Sequence, residues 1–164
     1  MFNKLFSALL FGFISTLAVA NPSGLPTHNN KFPFGQNLAQ VLERLKGQCS
    51  RLVVNENLPL EVPTATLSQT QIDCFDYKPL QHIGVSEWIF ADDFLDIVWV
   101  LSPMSELEIT KSKLTNNGIT PDYSLPNMAD FYLDRGFGFR YQPTEALYYS
   151  DRLIPYYRAW LENL

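Results

Sequence analysis

Apolar residues recur along this chain with three different periods. From Leu5 to Val19 they run almost without interruption and without charge. Leu38, Val41, Leu42 and Leu45 then fall at i, i+3, i+4 and i+7, with Asn37 placed to cap a helix and Gly47 to stop it. This spacing predicts a helix over 37–47. Leu95, Ile97, Trp99 and Leu101 alternate with the two-residue period of a strand, and Asp96 interrupts the opposite face. Residues 83–101 therefore read as a hairpin turning at Asp92-Asp93, because Asp tolerates turn geometry better than most side chains.

The remaining pattern fills in around this hairpin. Thr64 to Tyr77 is Thr-rich and breaker-free, a strand that places Ile72 and Cys74 on one face. Ser102-Pro103 reads as an N-cap followed by proline at the first helical position, predicting a helix over 103–117 that Gly118 ends. Pro121 to Asn127 reads as loop. Phe131–Asp134, Phe137–Tyr141 and Glu145–Tyr149 read as strands, with Gly136 turning the first pair, and the chain closes in a helix striped by Leu153, Ile154, Tyr157, Trp160, Leu161 and Leu164. The elements predict an α+β fold: one antiparallel sheet of about five to six strands with helices packed on one face.

Residues 1–20 stand apart from that fold. Lys4 charges the start, an apolar core follows, and Ala18-Val19-Ala20 supplies the small residues of a cleavage site. This is the layout of a secretory signal peptide cut after Ala20. The apolar run is shorter than the roughly 20 residues a membrane anchor needs, and no later segment is apolar enough to span a bilayer, so membrane insertion after cleavage is not expected. Asn21 stands where a lipidated protein would have Cys. Residues 21–36 are rich in Pro, Gly and Asn and read as a loose arm, which leaves 37–164 as a single domain.

Export changes the meaning of the two cysteines. In an oxidising compartment Cys49 and Cys74 are expected to form one structural disulfide, since a redox pair would use C-x-x-C spacing. The loop so closed is worth about 3.5 kcal/mol in the chain-entropy model. The whole chain of 164 residues carries a net charge of −5, which becomes −6 once Lys4 leaves with the signal peptide. That balance argues against nucleic-acid binding, which needs clustered Lys and Arg.

Catalytic chemistry has little to stand on. His28 lies in the arm and His82 before a strand, and no G-x-S-x-G elbow, zinc-ligand spacing, calcium loop, Walker A loop or G-x-G-x-x-G is present. No cofactor is expected. Glu87, Asp92 and Asp93, around the hairpin, are the only carboxylates offered for a small periplasmic hydrolase. Two asymmetries point instead to recognition. Between Asp73 and Glu108 eight acids face Lys78 alone, and eleven aromatics fall between Tyr123 and Trp160. Adjacent tyrosines cannot both face inward across a sheet covered on one side, so Asp92, Asp93, Asp96, Tyr148, Tyr149 and Tyr156 form the candidate recognition surface. A cationic periplasmic protein or a glycan is the expected partner.

Gln71-Ile72-Asp73-Cys74, followed by Glu87 to Leu101 (EWIFADDFLDIVWVL), resembles a set of exported proteins of Gram-negative bacteria with no assigned activity. They share a Q-I-D-C strand and an F-x-F-A-D-D-x-L-x-x-V-W-x-L hairpin, from which Trp88 departs. The resemblance implies export and a similar fold. Small periplasmic lysozyme inhibitors are similar in size, acidity and lone disulfide, which implies inhibition of a cationic wall hydrolase, but their S-G-x-x-Y loop is absent here. The function expected is an exported, non-catalytic binding or accessory module.

Overall fold

A computed structural model describes residues 32–80 and 84–164. Residues 1–20 (expected to be a signal segment), most of the arm, His28 and His82 lie outside the described residues. One antiparallel sheet organises the chain. Its strands are β1 (Arg51–Asn55), β2 (Gln69–Phe75), β3 (Val85–Ala91), β4 (Phe94–Leu101), β5 (Tyr123–Leu125), β6 (Ala129–Tyr132), β7 (Phe137–Tyr141) and β8 (Thr144–Tyr149). Their order across the sheet is β1-β2-β3-β4-β8-β7-β6-β5. The α+β reading with a single sheet is borne out, but the sheet has eight strands rather than five to six. The three-residue strand β5, within the stretch read as loop, is too short to announce itself by alternation.

Among the described residues three α-helices accompany the sheet: α1 (Leu38–Leu45), α2 (Met104–Asn116) and α3 (Ile154–Glu162). Helix α1 begins in a capping box, with the Asn37 side chain accepting from the Gln40 amide and the Gln40 side chain accepting from the Asn37 amide. The predicted cap of α2 is not made; Pro103 occupies the cap position, and the Ser102 hydroxyl donates back to the Val100 carbonyl.

The helices do not share one face, contrary to the arrangement expected from sequence. Val41 and Leu45 of α1 and Leu107 and Leu114 of α2 pack with Ile72, Trp88, Val98, Phe137 and Tyr148. Leu161 of α3 packs with Ile89, Ile97, Phe131, Leu147 and Tyr149 on the other side. Strands buried on both sides need no polar alternation, and this accounts for the long apolar runs in β3, β4 and β8. Phe32, at the end of the arm, is itself core, with its ring 5.2 Å from Trp88 and 4.9 Å from Tyr148. Residues 32–36 are therefore packed rather than loose.

The predicted disulfide is present. Cys49 and Cys74 are joined with their Cα atoms 5.4 Å apart. Because Cys49 follows α1 and Cys74 sits fully buried on β2, the bond ties that helix to the sheet.

Candidate functional site

The predicted recognition residues do not form a surface. At the hairpin tip Asp92 and Asp93 both take left-handed backbone angles, φ 50° and 71°, the geometry of a tight two-residue turn. Their side chains then serve the fold. Asp92 accepts hydrogen bonds from the backbone amides of Thr66, Leu67 and Ser68 and from the Thr66 hydroxyl at 2.6 Å. These bonds hold its carboxyl well below the usual carboxylate range. Asp93 accepts from the Leu38 amide at the start of α1.

Asp96 is the larger correction. It is fully buried. Phe90 pairs with Leu95 and Ile89 with Ile97, which makes Asp96 the extra residue of a β-bulge. Leu95 thereby turns to the α1/α2 side and Ile97 to the α3 side, so the four-residue apolar face read for β4 is broken after its first member. The Asp96 carboxylate accepts from the hydroxyls of Thr64 and Ser150, each at 2.5 Å, with the Arg152 guanidinium 3.4 Å away. Tyr148 and Tyr149 are buried on opposite sides of the sheet, and of these three tyrosines Tyr156 alone is exposed. Two covered faces remove the premise that one tyrosine of each pair had to meet solvent.

The carboxylates offered for hydrolysis are also kept apart. Glu87 lies five residues before Asp92 along β3, a separation of about 16 Å in an extended strand, beyond the 5–9.5 Å that carboxylate pairs in glycoside cleavage span.

The structure instead gathers a site on the α3 side of the sheet. Helix α3 covers only part of that face and leaves a groove of about 410 Å³ beside it. Trp99 of β4, Phe131 of β6, Leu147 of β8 and Trp160 of α3 line it, with Met128 at the rim. The Trp160 ring stands edge-on to Phe131 with centroids 6.0 Å apart. Gly138 lies between Phe131 and Leu147 in the ladder, and a Cβ there would lie 2.8 Å from the Asp130 carbonyl oxygen and 3.5 Å from the Phe131 ring. The groove's volume and mostly apolar lining fall within the range of small-ligand clefts.

Charged residues adjoin its floor. Arg140 lies over the Trp99 ring at 4.5 Å and is ion-paired with the buried Glu145 across the β7–β8 ladder. Its Nε is buried without an acceptor among the described residues. Glu87 stands directly opposite Trp99, and Asp73 directly opposite Glu87. Asp73 accepts from the side-chain amides of Asn55 and Gln71, at 3.1 and 2.6 Å. Glu87, half-buried, makes no hydrogen bond or ion pair among the described residues. Burial, then the neighbouring Glu145 and Asp73 charges, push its carboxyl above the ordinary range against the pull of Arg140. Burial raises Glu145 likewise.

A second cleft, of about 460 Å³, opens on the α2 side and shares Leu125, Asn127 and Gln142 with the groove. There Lys111 reaches Asp130 at 2.8 Å and the Tyr141 hydroxyl at 2.5 Å, Tyr141 donates to Asp130, and the Ser124 hydroxyl donates to Asp130 at 2.7 Å. Burial works against both charges, but these bonds outweigh it, raising Lys111 and lowering Asp130. A lysine held protonated is neither a base nor a nucleophile at neutral pH. The cluster clamps α2 to the sheet.

Sequence reading missed the groove because its walls come from β4, β6, β8 and α3, with no shared motif. The aromatic density between Tyr123 and Trp160 was the one available signal. Comparison of the chain with protein-family models, curated proteins and solved structures finds no match.

Proposed function

We propose that this protein is an exported, non-catalytic binding module of the periplasm, and that its ligand seat is the groove over Trp99 and Trp160. One observation carries the reading: large aromatic side chains from separate elements converge on an open concave surface beside incompletely paired charge. Aromatic rings left on a surface are costly unless something covers them, and they dominate the energetics of recognition sites. Export rests on the signal-peptide layout of residues 1–20 and agrees with the disulfide, which persists only in oxidising surroundings. The hydrolase alternative is less favoured, because Glu87 lies about 16 Å along the strand from Asp92 and the Asp92 carboxylate is engaged by Thr66, Leu67 and Ser68. The immobilised protein should retain a component of a periplasmic extract, and the double variant Trp99→Ala/Trp160→Ala should weaken that retention by at least about tenfold. Undiminished retention by the variant would move the seat elsewhere. Failure of the wild type to retain anything would remove the reading.

A further inference from the structure

Building on that reading, we propose that the groove and the adjoining acidic row dock a cationic protein segment, with an apolar side chain seated between Trp99 and Trp160 and a Lys or Arg head group meeting Glu87. Three carboxylates, Asp73, Glu87 and Glu145, share this part of the sheet with the Arg140 guanidinium. Asp73 is satisfied by two amides and Glu145 by Arg140, which leaves Glu87 as the group with an open valence for a cation. The register puts it beside Trp99, whose ring also lines the groove, so an incoming chain can fill both with neighbouring residues. An extended segment places alternate side chains about 6.6 Å apart on one side, a spacing suited to two adjacent subsites.

The charge of the partner follows from that of the face. An anionic segment would meet Glu87 and Asp73 with like charge; Arg140, the guanidinium beside Trp99, is already engaged by Glu145 and by that ring, and Arg51, farther along the same face, lies over Phe75. A neutral glycan would stack on the tryptophans but leave Glu87 without a counter-charge. The acidic neighbours Glu145 and Asp73 disfavour the Glu87 carboxylate, and a cation beside it would offset their charge. The net charge of the whole chain, −5, steers association in the same direction.

The test uses the indole N–H resonances of Trp99 and Trp160 as reporters. The probes are three synthetic decapeptides of common Leu and Ser positions carrying Lys, Gln or Glu elsewhere, together with chitotetraose. The Lys peptide should shift both indoles and bind about tenfold more tightly than the Gln peptide, and the Glu peptide should not bind. Glu87→Gln should abolish the preference for Lys over Gln. Glu108→Gln, which removes an exposed charge on α2, should retain it. Equal affinity for the Lys and Gln peptides, or a preference that survives in Glu87→Gln, would overturn the cationic partner. Chitotetraose shifting the indoles while the peptides do not would overturn it too, yet leave the groove as the ligand seat. If no probe moves either indole, both readings fall.

Discussion

Asp96 shows how a single buried carboxylate can be hidden in a sequence. Set among Asp92, Asp93 and alternating apolar residues, it has the pattern of a solvent-facing position, and only the bulge turns it inward. Its three partners lie 32, 54 and 56 residues away at Thr64, Ser150 and Arg152, beyond the reach of any local pattern. Asp96→Ala should cost about 3 kcal/mol in urea unfolding, because the Thr64 and Ser150 hydroxyls lose their acceptor. Arg152 is half-exposed and can turn to water. A loss under about 1 kcal/mol would show the network to be dispensable. Glu87 has the opposite sign. A carboxyl raised in the folded state favours folding while protonated and opposes it once ionised, so stability falls as pH climbs from the ordinary carboxylate value through the raised one. Glu87→Gln should therefore be more stable than the wild type at neutral pH, by under about 1 kcal/mol, with the gap closing on acidification. Thermal melts across that pH range decide it.

Among the elements, those with a regular period were legible and those defined by their partners were not. Helix α1 is announced by its stripe and cap, and the β3–β4 hairpin by its alternation and paired aspartates. Strand β5 has three residues, and nothing in Tyr123-Ser124-Leu125 distinguishes it from loop. Helix α2 has a thin apolar stripe and no side-chain cap, so it depends on what it touches. Its polar tie is Lys111 to Asp130 and Tyr141. Lys111→Met keeps the length and removes the charge, leaving a nearly buried carboxylate with hydroxyl donors alone. The expected loss is about 2 kcal/mol, discounted because Lys111 is partly exposed. In a double-mutant cycle with Asp130→Asn the two losses should fall short of additivity. Full additivity would mean that the ion pair contributes nothing.

For the whole molecule, the decisive fact is that both sides of the sheet are covered. The two cysteines predicted one disulfide, and it is present; the buried apolar residues form two clusters, one on each side of the sheet. The arrangement of helices was not legible, since a strand rich in apolar residues does not say which element lies above it. This leaves β8 in an unusual position. Glu145-Ala146-Leu147-Tyr148-Tyr149 would present almost the same apolar content to either side if it slid by one residue, so hydrophobicity hardly chooses between the two alignments. The choice falls to the polar groups at its ends: Ser150, bonded through its backbone and its hydroxyl to Asp96, and Glu145, held opposite Arg140. These buried polar contacts act as registration marks, fixing in place a strand that oil alone would leave free to slip.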